Sequence, residues 1–293
     1  MSKAYIDYER NIVEKFNKIE SVMWNGVFFD DVKACKPKPQ GGGGEPKTDV
    51  YVRLHNTKTG FIDILKISVK LDNAEFLGNK LTASAAESLF GLGWEEIVKD
   101  AVYSLKDKFP LKNIKYKKTK KGEEDAYFTL GWKLEIANKG RDLSVEVDLS
   151  RKELIDYIYK GVNQPIKKRD SIIFNGEISK NSGVAEYLII GNDIKHHDVQ
   201  SILDSIIPLD YYTPPKIYAI FTANNYRFIA DKADGQRSLA VCIRWELIGN
   251  DLHPNFIFDQ PLKYKGERDM MPYIKSCLSR LSISSFDDMD NLF

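Results

Sequence analysis

Asp49, Ser68 and Lys70 are the residues whose types and spacing could do chemistry. A carboxylate, a hydroxyl and an ammonium are the groups that hold a hard divalent cation and steady charge developing on a phosphate. Asp49 opens an alternating run, Asp49-Val-Tyr-Val-Arg-Leu, and Ser68 and Lys70 lie in Phe61-Ile-Asp-Ile-Leu-Lys-Ile-Ser-Val-Lys70. Between them His55-Asn-Thr-Lys-Thr-Gly60 has the chemistry of a turn, so the two runs read as a hairpin. Alternate residues of a strand share a face, which sends Ser68 and Lys70 one way and Ile67 and Val69 the other. Folding the hairpin about residues 57–58 sets Asp49 opposite Lys66, within a residue or two, and next to Ser68 and Lys70. That set suits phosphodiester cleavage. Asp49 would anchor Mg²⁺, the backbone carbonyl of Val69 would be a second ligand, and Ser68 would act through a water. Lys70 would orient the attacking water and stabilise charge on the phosphate.

The elements that must position these groups follow from periodicity. Ile12, Val13, Phe16 and Ile19 recur at helical spacing and make the first 22 residues an amphipathic helix. Trp24 to Val32 is short and mixed. Lys36-Pro-Lys-Pro-Gln-Gly-Gly-Gly-Gly must be a loop. Residues 82–90 and 94–109 read as helices, followed by a basic stretch over 112–121. Residues 126–136 and 143–149 read as strands, 151–159 as a helix, and 171–174 and 187–190 as strands. A helix over 197–207 precedes a β-rich lobe with strands over 217–222, 227–230 and 238–248. The reading is an α/β core over residues 1–165, a β-rich lobe over 166–283 and an acidic flexible tail over 284–293.

The segment Pro46-Lys-Thr-Asp49 … Ile67-Ser-Val-Lys70 resembles the PD-(D/E)xK nuclease superfamily, above all its restriction-endonuclease branch. That pattern is Pro-Asp, about twenty residues, then Asp or Glu, any residue and Lys. Here Lys47 and Thr48 separate Pro46 from the aspartate, and Ser68 stands where the middle acid belongs. The resemblance covers residues 5–95. It implies a restriction-endonuclease-like core with a mixed central sheet flanked by helices, Mg²⁺ as cofactor, and double-stranded DNA as substrate. Family members carry a glutamate on the first helix that reaches the metal. Glu9 and Glu20 lie on or beside the apolar face here, and Glu20 is taken as the further ligand. The loop after Lys70 supplies Asn73, Asn79 and Lys80 as candidate DNA contacts. In the β-rich lobe Gln236, Arg237 and Arg244 are of the types that read base edges. Sequence-specific cutting of both strands would favour a two-fold homodimer. Two rival readings remain, a nuclease of low specificity and a non-catalytic DNA-binding protein on a decayed nuclease core, the latter drawing on Ser68.

Other signals carry less. Gly41-Gly-Gly-Gly-Glu-Pro46-Lys47-Thr48 nearly matches a phosphate-binding P-loop, but Pro46 offers no N–H to a phosphate. Lys106 to Lys121 holds eight lysines and one aspartate, a phosphate-backbone patch or a solvated face. His196-His197-Asp198 reads as two solvated histidines and a helix cap.

Composition bounds the rest. The 293 residues are 43% hydrophobic and 29% charged, with 43 basic and 42 acidic side chains and a net charge of +1, which excludes a uniformly basic coat. Three scattered cysteines, Cys35, Cys242 and Cys277, exclude a disulfide framework and fit a reducing, cytoplasmic setting. The charged N-terminus does not read as a signal peptide, and no apolar run suits a membrane span.

Overall fold

The computed structural model describes residues 3–42, 44–72, 74–120 and 122–292. The chain divides into two compact units. One comprises Met1–Ala74 and Leu149–Pro214, the other Glu75–Asp148 and Pro215–Phe293. The single boundary expected near residue 165 is therefore replaced by three crossings.

Numbered along the chain, the first unit holds α1 (Lys3–Lys18), β1 (Val22–Trp24), β2 (Val27–Phe29), β3 (Asp31–Cys35), β4 (Val50–His55) and β5 (Ile62–Leu71). The chain returns to it with α4 (Arg151–Glu153), α5 (Ile166–Arg169), β10 (Tyr187–Gly191), α6 (Val199–Ser205) and β11 (Ile207–Pro208). Its main sheet has the order β11-β10-β5-β4-β3. β10 runs parallel to β5 and every other pairing is antiparallel, so the sheet is mixed. Parallel neighbours need a long crossover. Here that crossover contains the whole 75–148 stretch, which is why residues 166–214 join the first unit and not a C-terminal β lobe.

Helix α1 forms because Tyr8, Ile12 and Phe16 recur at four-residue spacing and make one apolar stripe. The stripe packs with Val50, Val52 and Leu54 of β4, Ile67 and Val69 of β5, and Ile202 and Leu203 of α6. The β4–β5 turn is set by Asn56. Its side-chain oxygen accepts from the backbone N–H groups of Lys58 and Thr59, and Gly60 takes φ +73. The β1–β2 hairpin, unassigned in the sequence reading, turns on Asn25-Gly26 with φ 50 and 76, the pair a two-residue hairpin favours. The strand expected over 171–174 is a bridge at Ile172 followed by a 3₁₀ turn over Phe174–Gly176.

The second unit holds β6 (Phe76–Gly78), α2 (Ala83–Phe90), α3 (Trp94–Tyr103), β7 (Lys115–Lys120), β8 (Glu123–Ala137) and β9 (Ser144–Glu146). To these it adds β12 (Tyr218–Arg227), β13 (Lys232–Ala233), β14 (Ser238–Leu239), β15 (Val241–Ile248), β16 (Asp251–Ile257), β17 (Tyr264–Lys265) and α7 (Met271–Arg280). The path β13-β12-β8-β15-β16 is antiparallel, with β6 and β7 on β8 and β9 on β12. Residues 228–230, expected in a strand, form the turn after β12. The segment expected as a flexible tail folds back as a 3₁₀ turn over Asp287–Leu292. Met289 is buried, and the Asp288 carboxylate accepts from the N–H groups of Ser284 and Ser285. The three thiols are free; Cys242 and Cys277 are buried. Among the described residues no helix is long and apolar enough to cross a membrane.

Gly131, at φ +144 in the middle of β8, lets β15 approach. A Cβ there would overlap the Val241 carbonyl oxygen. Gly131→Ala is expected to cost about 3 kcal/mol through strain and forced separation of the strands, read as a lowered urea midpoint. A midpoint equal to wild type would refute this account of the β8–β15 contact.

Candidate active site

The site is set by strand register. Val50 pairs with Ile67, so Asp49 lies across from Ser68, two residues along from the Lys66 pairing and inside the expected margin. The Asp49 N–H donates to the Ile67 carbonyl at 2.9 Å. Its Oδ2 accepts from the Val69 N–H at 2.7 Å and from the Ser68 hydroxyl at 3.3 Å. Both side chains are buried, Asp49 5% and Ser68 3% exposed. Burial raises the Asp49 pKa, and the Lys70 charge, the Val69 N–H and Lys36 oppose the rise. Asp49 therefore lies within the field of Lys70. Its Nζ lies 5.9 Å from the centre of the Tyr5 ring. The Val69 carbonyl, expected as a metal ligand, accepts from the Tyr5 hydroxyl at 3.3 Å.

The glutamate that reaches this place is Glu9. Glu20 lies beyond the end of α1 at Lys18 and is exposed. Glu9 is 1% exposed. Lys36 donates to its Oε2 at 2.5 Å and also pairs with Glu45 at 3.0 Å. Burial first, and then the Asp49 charge, push Glu9 up to about 7, against the pull of Lys36 and Tyr5. Its Oε1 is buried without a hydrogen-bond partner of good geometry; the Tyr5 hydroxyl lies near enough to Glu9 to hold its pKa down. A signal for Glu9 was in the sequence. It is an acid set among Tyr8, Ile12 and Phe16 on the stripe itself, whereas Glu20 falls after that stripe has ended.

One further lysine, Lys47, lies within the field of Asp49 and Lys70, and the sequence analysis gave it no part in this site. Lys47 is half-buried, and its pKa falls to about 7. Burial is the main cause, the charges of Lys70 and Lys168 add to it, and Asp49 opposes it. Lys47 and Thr48 both donate backbone N–H groups to the Gly183 carbonyl, at 3.0 and 3.2 Å. A Cβ on Gly183 would overlap the Lys168 carbonyl, and one on Gly161 would stand 2.5 Å from Lys47 Cγ.

The remaining expectations fare variously. Asn73 lies outside the described residues. Asn79 and Lys80 are exposed, and so are Gln236 and Arg237, in the turn between β13 and β14. Lys80 and Arg237 both act on the half-buried Lys133 of β8, which the sequence reading missed. Arg244 lays its guanidinium over the Tyr273 ring at 4.9 Å. In the basic stretch, register sets Lys118 across from Asp125, and Lys112 pairs with Asp142. This local neutralisation favours a solvated face over a phosphate patch. Asp198 caps α6 by accepting from the Ser201 N–H at 2.8 Å. Of the two histidines expected in solvent only His197 is exposed. His196 is buried, hydrogen-bonded to the Tyr8 hydroxyl and packed on its ring.

Among the described residues no group of three or more His, Cys, Asp and Glu forms a metal cluster. Mg²⁺ needs less, since it keeps several waters and takes one or two carboxylates. Asp49 and Glu9 are two buried carboxylates, the charge of Asp49 raises the proton affinity of Glu9, and Oε1 of Glu9 has no hydrogen-bond partner of good geometry. That donor set fits a hard cation. Comparison with known proteins returned no match: no family model fits the chain, and no curated protein or solved structure matches it.

The raised pKa has a thermodynamic consequence. Folded Glu9 holds its proton more tightly than the unfolded chain does. The stability this contributes is full below the ordinary glutamate value near 4.5 and is lost as pH rises to about 7. Urea midpoints should fall across that window in wild type and fall less in Glu9→Gln. Equal slopes in the two proteins would contradict the assignment.

Proposed function

We propose that this chain is a Mg²⁺-dependent endodeoxyribonuclease that hydrolyses DNA phosphodiester bonds, of the restriction type making sequence-specific double-strand cuts. The observation that carries the reading is the buried pair Asp49 and Glu9, with Lys70 acting on Asp49 at the end of the β4–β5 hairpin. The mixed sheet with helices packed on it suits the restriction-endonuclease-like core that the motif implies.

Asp49 and Glu9 would hold Mg²⁺, which when bound supplies a water of lowered pKa and polarises the phosphoryl oxygen. The Val69 N–H and the Ser68 hydroxyl fix the Asp49 carboxylate, so its free oxygen needs no reorganisation. Lys70 orients the attacking water and meets the charge that grows on the phosphate. Lys36 holds Glu9 in place through Oε2 and leaves Oε1 for the ion. Glu9 thereby supplies the second acid that Ser68 does not, which favours an active site over a decayed one. Asn79, Lys80, Gln236, Arg237 and Arg244 are proposed as contacts to double-stranded DNA, with Lys133 added beside Lys80 and Arg237. A two-fold homodimer would present two such sites to the two strands.

The test is plasmid cleavage with Mg²⁺. Asp49→Ala, Lys70→Ala and Glu9→Gln are each expected to slow cleavage by about a hundredfold or more, while Glu20→Gln cuts like wild type. Discrete bands from a defined substrate mark sequence-specific cutting, and a smear marks the low-specificity alternative. Undiminished cleavage by both Asp49→Ala and Lys70→Ala would overturn the site. Wild type that binds DNA but never cuts it would overturn the enzyme.

A further inference from the structure

In the second unit the outer edge of β12 is covered at both ends and bare between. Its inner edge carries the ladder to β8. On the outer edge β9 pairs with Tyr218–Ile220, and the Phe221 N–H donates to the Leu143 carbonyl at 2.9 Å. β13 takes up the same edge at Tyr226 and Arg227. Just before it, the Asn225 carbonyl accepts from the Asp234 N–H at 2.9 Å, and the Asn225 N–H donates to the Asp234 carboxylate at 3.1 Å. Phe221 and Asn225 thus turn their peptide groups outward, and alternate residues of an antiparallel strand turn the same way. Ala223 lies midway, so its N–H and C=O also point away from β8. The facing strand agrees. Trp132 stands across from Ala223, and its carbonyl accepts from the Ala240 N–H at 2.7 Å, on the far side of β8. Among the described residues nothing pairs with Ala223 along this edge. Ala223 is exposed in a strand whose residues 219–221 and 224–226 are buried.

A cavity of about 330 Å³ lies at this gap, lined by Ala223 together with Tyr116, Trp132, Phe221, Lys112 and Arg141. Its aromatic rings are held in place. Trp132 and Phe221 both pack on Phe109, at 4.9 and 5.5 Å between ring centres, and Tyr116 lies flat on Tyr127 at 5.1 Å. The charges at the rim are already met, Lys112 by Asp142 and Arg141 by Glu75. What the cavity offers a ligand is therefore one peptide donor, one peptide acceptor and aromatic surface. The open stretch is short. β9 and β13 leave residues 222–224, about 10 Å of strand, which is too little for an added strand of ordinary length. An uncharged flat ring with a donor and an acceptor side by side meets each of these conditions, and the bases of nucleic acid are such rings.

We propose that the Ala223 peptide group and the rings of Tyr116, Trp132 and Phe221 form a slot for one unstacked nucleobase. The base donates an N–H to the Ala223 carbonyl, and a ring nitrogen or carbonyl oxygen of the base accepts from the Ala223 N–H. That the slot takes a base follows from the bare edge and its lining; that the base belongs to the DNA being cut rests on the nuclease reading above.

The probes are the four deoxynucleosides, uncharged and without metal, titrated into the full-length protein by calorimetry and followed at the Ala223 amide resonance by NMR. At least one is expected to bind saturably and to shift that resonance. Its counterpart methylated at the donating nitrogen is expected to bind about tenfold more weakly, as for one hydrogen bond lost with its partner left unmet. Ala223→Pro removes the N–H at a strand edge, where proline is tolerated, and Tyr116→Leu removes a ring. Each should weaken the nucleoside about tenfold. No saturable binding, binding that leaves the Ala223 resonance unmoved, or equal affinity for the methylated form overturns the slot. A capped tripeptide that shifts Ala223 where the nucleosides do not overturns the base as its occupant. If Ala223→Pro does not fold, Tyr116→Leu and the methylated nucleoside decide by the same criteria. Nucleoside binding at Ala223 in a protein that never cuts DNA would leave the slot standing and sink the nuclease.

Discussion

Two buried carboxylates, Glu9 within the field of Asp49, are the constraint on which the first unit depends. A buried charge is expensive unless partners replace its water, and a second charge of the same sign adds to the cost. Asp49 is given a backbone N–H, a hydroxyl and the field of Lys70. Glu9 is given one ammonium, from Lys36, and the pull of the Tyr5 hydroxyl, and its Oε1 has no hydrogen-bond partner of good geometry. The compensation is incomplete in the direction a hard cation would complete. Strain of this kind collects where a protein binds or reacts.

The scaffold explains why the compensation is so tightly placed. Asp49 is held by the ladder that carries β4 and β5, and the opposite residues of that ladder, Val50 and Ile67, lie in the fully buried core. A shift of register by one residue would send Ser68 and Lys70 to the apolar face and Val69 to the wet one. The core therefore enforces the chemistry. β10 adds to this by pairing in parallel with β5 along Ile67–Leu71, so the strand bearing Ser68 and Lys70 has a neighbour on each side. Sites on strands so fixed hold their geometry better than sites on loops.

In the second unit the charges tell two different stories. Along β7 two of the four lysines, Lys118 and Lys120, stand across from the β8 acids Asp125 and Glu123, and pairs of that kind contribute little and attract little. On β8 itself Lys133 is half-buried, with Lys80 and Arg237 adding like charge and Glu135 and Asp234 opposing it. The second group holds acids as well as cations, and its partial burial is what sets it apart, because charge is felt most strongly where water is partly excluded. A count of lysines along the sequence would have ranked the two the other way.

Local pattern was enough to determine α1, the β4–β5 hairpin with its Asn56 turn, and the convergence of Asp49, Ser68 and Lys70. Each rests on periods of two and near four and on turn chemistry, which are properties of neighbouring residues. Asn25-Gly26 was equally legible and was overlooked. Glu9 was legible as an acid on an apolar stripe, but its meaning was not, because nothing local says which strand end the helix will meet. The parallel β5–β10 pairing, the assignment of residues 166–214 to the first unit and the docking of Lys47 and Thr48 on the Gly183 carbonyl were decided only by the tertiary structure. Those contacts join residues about a hundred positions apart, and the burial that brings them together depends on the whole core rather than on any stretch of sequence.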